Sequence, residues 1–292
     1  MLFCHLAIRL RPDITDRRKY MSKCFAIASG KGGVGKSVLT ANLAAVLAMN
    51  GTRVLIIDAD IGLRSQDALL GLENRVVYDL IDVSRNECVP EQAILACESV
   101  PSLHLLPAAQ FERAKALEPR KFAKIIRTLR GHYDYIFVDC PAGIERGLRN
   151  VLNAGMDETI LVVTPDDISV RSAERTAQIM EAKKAPRPRL IVNRLDEQLI
   201  RCGEMYSART IAQVLDLQLF GAVPEDPAVY RSQLKHDLFI HYDCEARNAV
   251  CRIASRIQGR YIPVSGYGEK KGGFLRRLFT KPLKEVAPID DH

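Results

Sequence analysis

The sequence has no apolar run long enough to cross a membrane. Its uninterrupted apolar stretches are short, such as residues 160–163, whereas a membrane-spanning helix needs about 18 or more apolar residues. Internal repeats and low-complexity tracts are also missing. Any contact with a membrane is therefore expected to be peripheral, and the chain does not read as a fibrous repeat.

Paired cysteines are a second absence. The eight cysteines are scattered, none lies in a Cys-x-x-Cys pair, and no histidine cluster has the spacing of zinc ligands. This pattern indicates neither a disulfide framework nor a zinc site. Free thiols in a reducing cytoplasm fit it best, so we expect a cytoplasmic protein.

The composition is that of an ordinary globular protein. Of the 292 residues, 47% are hydrophobic and 26% are charged, which is typical of a folded domain. One large domain with appendages is the simplest division of this length. The net charge of +7 suggests an anionic partner, which could be nucleic acid, a membrane surface or a nucleotide.

Short apolar runs rich in β-branched residues alternate with helical patterns along residues 21–261. The pattern predicts strands at residues 23–29, 53–58, 103–106, 135–139, 158–164, 188–193 and 217–223. It predicts helices at residues 121–130, 172–182, 210–215 and 245–261. A further helix after residue 36 carries Leu39, Leu43, Val46 and Leu47 on one face, and Gly51 closes it. This alternation predicts an α/β fold with a doubly wound, mostly parallel sheet.

A glycine-rich motif follows the first predicted strand and opens a helix. It consists of Gly30, Lys31, Gly32, Gly33, Val34, Gly35, Lys36 and Ser37, followed by Val38. Glycines let backbone N–H groups turn towards phosphate oxygens, and the helix N-terminus adds positive potential. Lys36 is expected to neutralise the β- and γ-phosphates, and Ser37 to offer its hydroxyl to Mg²⁺. The motif therefore predicts a P-loop that binds ATP and Mg²⁺.

Lys31 has two interpretations. It follows the first glycine of the loop, from where it cannot easily reach the γ-phosphate of its own nucleotide. It can instead cross a dimer interface and stabilise charge on a partner's phosphate as a catalytic group. The plainer interpretation is a solvated loop lysine.

The motif as a whole resembles the deviant Walker A motif of the MinD/ParA family of dimerising P-loop ATPases. The similarity extends over residues 21–280, and it implies an ATP-dependent homodimer in which Lys31 acts in trans. One departure is Ser65, where family members usually carry an asparagine. That difference bears on switch contacts or on partner docking.

Three aspartates at predicted strand ends complete the predicted chemistry. Asp58 is placed to hold Mg²⁺ through water, and Asp60 to position or deprotonate the attacking water. The alternative for both is a loop-capping role. By resemblance, Asp139 is the Walker B-like metal ligand and Gly143 approaches the γ-phosphate.

The resemblance also implies two contacts to the base. Asn193 lies at a strand end where the family reads the adenine edge. Pro224, Glu225 and Asp226 resemble the second base-contacting loop. Both segments are at the carboxyl ends of predicted strands, where open α/β sheets bind ligands.

Within the family, residues 62–64, 76–79 and 141–145 resemble the branch that determines the division site. That branch implies a MinC-type division inhibitor and a MinE-type regulator as partners, at the inner face of the cell membrane, with no specific nucleic acid. Two alternatives remain open at this point. One is a ParA-like DNA-partitioning ATPase that holds DNA by nonspecific charge, and the other is a flagellar-number regulator of the same fold.

The terminal segments are interpreted separately. Residues 1–20 read as a disordered extension or as the product of an upstream start, and residues 262–273 as a flexible linker. Residues 274–283 predict an amphipathic helix before a tail of residues 284–292. The residues predicted to contact an anionic membrane are Phe274, Leu275, Arg276, Arg277, Leu278, Phe279 and Lys281. The alternative is a helix packed on the core.

Overall fold

The computed structural model describes residues 22–112, 116–143 and 146–264. The predicted extension of residues 1–20, the membrane helix of residues 274–283 and the tail of residues 284–292 lie outside the described residues. Residues 262–264 are the only described part of the predicted linker. Among the described residues, no helix is both long and apolar enough to cross a membrane.

Within the described residues, eight strands form a single sheet in the order β3-β4-β2-β5-β1-β6-β7-β8. The strands are β1 (Lys23–Ser29), β2 (Val54–Asp58), β3 (Leu95–Ala96), β4 (Leu103–Leu106), β5 (Tyr135–Asp139), β6 (Glu158–Val163), β7 (Arg189–Leu195) and β8 (Gln218–Pro224). Every pairing is parallel except that of the edge strand β3 with β4. The predicted doubly wound, mostly parallel α/β sheet is therefore confirmed.

Helices cover both faces of this sheet. They are α1 (Lys36–Met49), α2 (Gln66–Leu69), α3 (Leu80–Arg85), α4 (Pro90–Ala93), α5 (Pro119–Arg130), α6 (Arg146–Leu152), α7 (Asp167–Ala182), α8 (Glu197–Cys202), α9 (Ala208–Val214), α10 (Pro227–Leu234) and α11 (Glu245–Ile257). Helices α3, α5, α6, α7 and α9 contribute to the core on one face, and α1 and α11 to the core on the other.

The central strand β1 shows why both faces are buried. Cys24, Ala26 and Ala28 belong to one core, whereas Phe25 and Ile27 belong to the other, as the alternation of side chains along a strand requires. Phe25 stacks on the ring of Phe137 in the neighbouring β5, with ring centroids 5.1 Å apart. The strands of a parallel sheet that is covered on both faces have continuous apolar sequences. Those apolar runs are the signal from which the strands were predicted.

Helix α1 departs from the prediction of a single apolar face. It is buried almost all round, since small residues such as Ala41, Ala44 and Ala45 are enclosed together with Leu43 and Leu47. The reason is its position, because α1 contacts β2 and β5 on one side and α11 and α2 on others. Its end is as predicted, with Gly51 at φ +86° just beyond the last turn.

The C-terminal core helix is shorter than predicted. Helix α11 ends at Ile257, where Gln258 caps it and Gly259 takes a left-handed φ of +84° that helices do not continue through. Beyond it, the guanidinium of Arg256 donates to the carbonyls of Ile262 and Pro263. Val264 packs against the core. The first three residues of the predicted linker are therefore attached to the domain.

Strand order reverses at β1, and this locates the functional edge of the sheet. The chain proceeds from β1 to β2 on one side, and it returns through β5 to β6 on the other side. Open α/β sheets bind ligands at the carboxyl ends of the strands beside such a reversal. The glycine-rich loop leaves β1 at this point.

Candidate nucleotide and magnesium site

The glycine-rich loop is built against helix α7 and strand β7. A Cβ on Gly30 would lie 2.3 Å from the carbonyl carbon of Ser172 and 2.7 Å from the nitrogen of Ala173, both backbone atoms of α7. Gly35 has a left-handed φ of +88°, and a Cβ there would lie 2.4 Å from the Asn193 amide nitrogen. A side chain at either position would require the loop, α7 or Asn193 to move, so the close packing of the loop depends on glycine at both places.

Lys36 is buried and paired with a carboxylate. Its Nζ donates to Asp139 Oδ1 at 2.6 Å and to Ser37 Oγ at 3.3 Å, and it lies 4.0 Å from Asp60 Oδ2. Burial opposes the ammonium charge, but the charge and hydrogen bond of Asp139 outweigh it and raise the pKa of Lys36. The lysine is therefore charged, and Asp139 holds it at the base of the loop.

Asp58 is fully buried and organises the loop that follows β2. Its Oδ1 accepts the backbone N–H of Asp60 at 3.0 Å, and its Oδ2 accepts those of Ser65 and Gln66 at 3.1 and 3.0 Å. Burial and then the Asp139 carboxylate raise the pKa of Asp58 to about 7, against the opposing effect of the backbone donors. These contacts are those of the loop-capping alternative, and they also fix Asp58 beside the proposed metal position.

Gln66 is a site residue that the sequence analysis missed. Its side chain is completely buried, and its Nε2 donates to Asp139 Oδ2 at 2.6 Å and to the Ser37 carbonyl at 3.1 Å. Its Oε1 is buried without a hydrogen-bond partner among the described residues. A glutamine in a loop does not by itself indicate a buried position. The one hint in the sequence was the preceding residue, Ser65, where family members usually carry an asparagine.

The donor set fits a magnesium ion that is shared with a nucleotide. Asp58, Asp60 and Asp139 bring three carboxylates to one lysine, so the buried cluster has an excess of acidic groups. No group of three or more His, Cys, Asp or Glu side chains in the described ranges could hold a metal ion alone. Mg²⁺ takes one or two carboxylates together with phosphates and water. The hydroxyl of Ser37 and the carboxylates of Asp58 and Asp139 are the groups that would hold it.

Lys31 does not join the Lys36 cluster. Its Nζ donates to both carboxylate oxygens of Asp166, at 3.0 and 3.2 Å, and its side chain is 34% exposed. Asp166 caps the N-terminus of α7 and also accepts the hydroxyl of Thr164 at 2.6 Å. Partial burial opposes ionisation of Asp166, but these donors and Lys31 lower its pKa. An open cavity of about 290 Å³ borders Lys31, Asp166 and Arg194.

The two predicted base-contacting segments meet at the ends of β7 and β8. Asn193 donates from Nδ2 to the Val34 carbonyl at 2.8 Å, which joins it to the glycine-rich loop. The N–H of Glu225 donates to the Leu195 carbonyl at 2.9 Å, and Asp226 caps α10. The segments therefore lie side by side next to the loop, as expected for strand carboxyl ends.

A larger cavity of about 640 Å³ lies at the opposite edge, where β7 and β8 begin. It is bordered by Arg187 and Arg189, whose guanidinium groups pair with Asp216 and Glu158. These arginines are neutralised by their own chain, and none of the predicted site residues lies there. The residues that the sequence predicts for the site therefore gather at the glycine-rich loop and not at the larger cavity.

Comparisons with known proteins identify the family of the chain. The family model described as "ParA: NUBPL iron-transfer P-loop NTPase" matches residues 20–258. The septum site-determining protein MinD of Helicobacter pylori is 40% identical over 270 residues, covering 89% of this chain and all of that protein. The MinC:MinD complex of Aquifex aeolicus matches with 36% identity and a TM-score of 0.78, over 84% of this chain and 100% of that one.

A third comparison concerns a protein with bound nucleotide. The septum site-determining protein MinD from Pyrococcus horikoshii complexed with Mg-ADP has a TM-score of 0.72 and 28% identity, covering 81% of this chain and 96% of that one. The family model spans the sheet and the glycine-rich loop, and the relative and the two solved structures cover 81–89% of this chain. The chain therefore belongs to the MinD/ParA family of P-loop ATPases, among its septum site-determining MinD proteins.

Proposed function

We propose that the chain is a membrane-cycling ATPase that positions the cell-division site. Two chains bind ATP and dimerise, the dimer attaches to the anionic inner face of the cell membrane, and there it recruits a MinC-type division inhibitor. ATP hydrolysis, stimulated by a MinE-type regulator, separates the chains and releases them. The observation that carries this proposal is the placement of Lys31.

Lys31 belongs to the glycine-rich loop, yet its ammonium is directed to Asp166 at the start of α7. The side chains of Lys31 and Asp166 are 34% and 46% exposed and border an open cavity, so a second chain can approach the pair. An exposed ion pair contributes only about 0–1 kcal/mol, and exchanging Asp166 for a phosphate therefore costs little. This arrangement supports a lysine that stabilises charge on the nucleotide of a partner chain.

Within one chain, Lys36 would exchange its partner. The ammonium now held by Asp139 at 2.6 Å would bind the β- and γ-phosphates, which are stronger anions in the same cradle. Mg²⁺, when bound, would neutralise the charge that develops on those phosphates. Asp60 retains some exposure, and burial raises the pKa of its carboxyl group. It is the carboxylate best suited to accept a proton from the attacking water.

Membrane attachment and the partner rest on the sequence and on the relatives. In the sequence, Phe274, Leu275, Leu278 and Phe279 have the spacing that would bring them to one face of a helix, with basic residues beside them. A single short segment of this kind binds weakly, whereas a dimer carries two, and such avidity can strengthen attachment by about 10²–10⁴. A related MinD occurs in a complex with MinC, which supports an inhibitor of that type as the recruited partner.

The first test measures dimerisation. Light scattering after size exclusion should give a monomer with ADP and a dimer with ATP, in a variant such as Asp60→Ala that retains the nucleotide. Adding Lys31→Ala should abolish the dimer while leaving ATP affinity within a few fold. Lys124→Ala, which removes an exposed lysine on α5, serves as the matched control. Dimerisation by the Lys31→Ala form would contradict the role in trans.

The second test measures lipid binding. Flotation of anionic vesicles should recover the wild-type chain with ATP and much less of it with ADP. A Phe279→Glu variant and a chain ending at Gly273 should remain unbound. Equal binding with either nucleotide, or undiminished binding by the truncated chain, would contradict the coupling of membrane binding to the nucleotide.

Two other experiments address the alternative functions. Co-sedimentation with duplex DNA in the same conditions tests the DNA-partitioning ATPase. Counting flagella and imaging a fluorescent fusion in cells test the flagellar-number regulator.

A further inference from the structure

One residue, Gln66, contacts all three residues that are proposed to hold magnesium. Gln66, the first residue of α2, donates through its side-chain amide to the Ser37 carbonyl and to Asp139 Oδ2, and through its backbone N–H to Asp58 Oδ2. These three partners belong to α1, β5 and β2. The residue is completely buried, so these contacts form without competition from water.

The orientation of this amide follows from its partners. Both groups near Nε2 are acceptors, a carboxylate oxygen and a backbone carbonyl at 2.6 and 3.1 Å. Reversing the amide would place its oxygen against two other oxygens, which is repulsive, so the nitrogen must face them. Oε1 is consequently left as a buried acceptor with no hydrogen-bond partner in the described part of the chain. A buried acceptor is costly until a donor reaches it.

The remaining oxygen of Asp139 is held by Lys36 at 2.6 Å. When Lys36 turns to the phosphates, Gln66 becomes the side chain that still fixes the plane of the Asp139 carboxylate. The backbone N–H of the same residue keeps Asp58 in place. Ligand orientation of this kind comes from residues just outside the metal's own contacts, and their loss lowers metal affinity.

We propose that Gln66 is a positioning residue for the magnesium ion. It holds Asp139 through Nε2, Asp58 through its backbone N–H, and offers Oε1 as an acceptor for the hydrated ion. The proposal rests on the proposed Mg-ATP function and adds a residue to its site. It explains why a polar side chain is buried at the start of a four-residue helix with one of its own atoms lacking a partner among the described residues.

The test replaces the amide while keeping its shape. Gln66→Met preserves the length and approximate volume of the side chain but removes both polar atoms. Binding of a fluorescent ATP analogue is titrated with MgCl₂ at fixed nucleotide, and again in EDTA. The apparent Mg²⁺ midpoint should rise about tenfold or more, in the range for lost outer-shell contacts. Affinity in EDTA should stay within about twofold, because the glycine-rich loop and Lys36 are unchanged.

Gln198→Met is the matched control, since it makes the same change at an exposed position of α8. It should leave the Mg²⁺ midpoint unchanged. If Gln66→Met does not fold by circular dichroism, Gln66→Leu replaces it in the same titration.

A wild-type Mg²⁺ midpoint in the folded variant would overturn the proposal, because it would show that Gln66 only fills space. An equal loss of affinity with and without Mg²⁺ would also overturn it, since that result indicates a collapsed loop. If the wild-type chain itself binds nucleotide without any response to Mg²⁺, the failure belongs to the proposed function instead.

Discussion

Gly30 is predicted to be required for packing against α7 before any nucleotide binds. A methyl group at this position would lie 2.3 and 2.4 Å from the carbonyl carbon and oxygen of Ser172, and 2.7 Å from the nitrogen of Ala173. All three atoms are backbone atoms of a helix, so none can rotate away. In Gly30→Ala, either the loop or α7 has to shift by roughly 1 Å to restore ordinary contact distances.

The cost can be estimated from overpacking in other interiors, which is typically about 1–3 kcal/mol. For a domain of this size, that corresponds to a fall in melting temperature of roughly 2–10 °C. Gly32→Ala is the matched control, two residues farther along the same loop. Its added methyl would meet only the Ala142 Cβ, at 4.0 Å, and its backbone is not left-handed, so we expect its stability to be unchanged or slightly higher.

The assay is thermal unfolding of both variants without nucleotide, followed by ATP binding in Mg²⁺ by calorimetry. Gly30→Ala should melt earlier than Gly32→Ala and bind ATP more weakly, since the displaced loop no longer presents its N–H groups together. Equal melting of the two variants and the wild type would refute the packing argument. If only ATP binding fell, Gly30 would be needed for the nucleotide alone.

Three further outcomes are expected. Lys36→Ala should lose Mg-ATP binding in calorimetry, because it removes the cation of the cradle and leaves Asp139 without its ammonium partner; normal binding would disprove the site. Asp60→Ala should bind ATP and dimerise but lose turnover by about 10²-fold or more in a phosphate-release assay, whereas normal turnover would assign the proton acceptor elsewhere. Burial, and then the charge of Arg53, lower the pKa of His104 to about 4 in the folded chain. The unfolded chain takes up this proton near pH 6.5, so acidification favours unfolding. Urea denaturation should therefore give a free energy of unfolding about 2 kcal/mol lower at pH 5 than at pH 7.5. His104→Leu should lose that part of the pH dependence, and an unchanged profile would contradict the assignment.

The sheet was predictable because its strands are buried on both faces. Runs such as residues 23–29 and 135–139 match β1 and β5 residue for residue, since a covered parallel strand has no polar face to interrupt it. Short elements carry too little periodicity to be recognised, and the two-residue β3 was accordingly missed. Helix α7 begins at Asp167, five residues before the predicted start. The prediction missed its first turn because Ile168 is exposed, so the apolar residues there do not follow the pattern of a buried helical face. The capping aspartate Asp166 was the signal that could have located its start.

The candidate site, like the fold, has a part that could be predicted from the sequence and a part that could not. The glycine-rich loop was predictable because its backbone conformation requires glycines at fixed positions within a few residues. The predicted strand ends also indicated that Asp58, Asp139 and Asn193 would lie at one edge of the sheet. The contacts between these groups were not predictable. Whether Lys36 pairs with Asp139 or with Asp60 depends on distances of 2.6 and 4.0 Å that only the packed sheet determines. The burial of Gln66 depends on where the loop after β2 folds back, which Asp58 controls through backbone hydrogen bonds.

We expect the Lys36–Asp139 pair to couple binding of the nucleotide to binding of the ion. Removing one partner of a buried ion pair costs far more than the pair contributes, because a buried charge is left uncompensated. A nucleotide that draws Lys36 to its phosphates would leave Asp139 hydrogen-bonded by the neutral amide of Gln66 and without its lysine. Asp139 would regain a cation beside it if Mg²⁺ were bound there while the phosphates compensate Lys36, so each ligand would offset the charge imbalance that the other creates. The nucleotide and the ion should therefore bind cooperatively, and the wild-type magnesium titration measures this coupling as the ratio of nucleotide affinities with and without the ion.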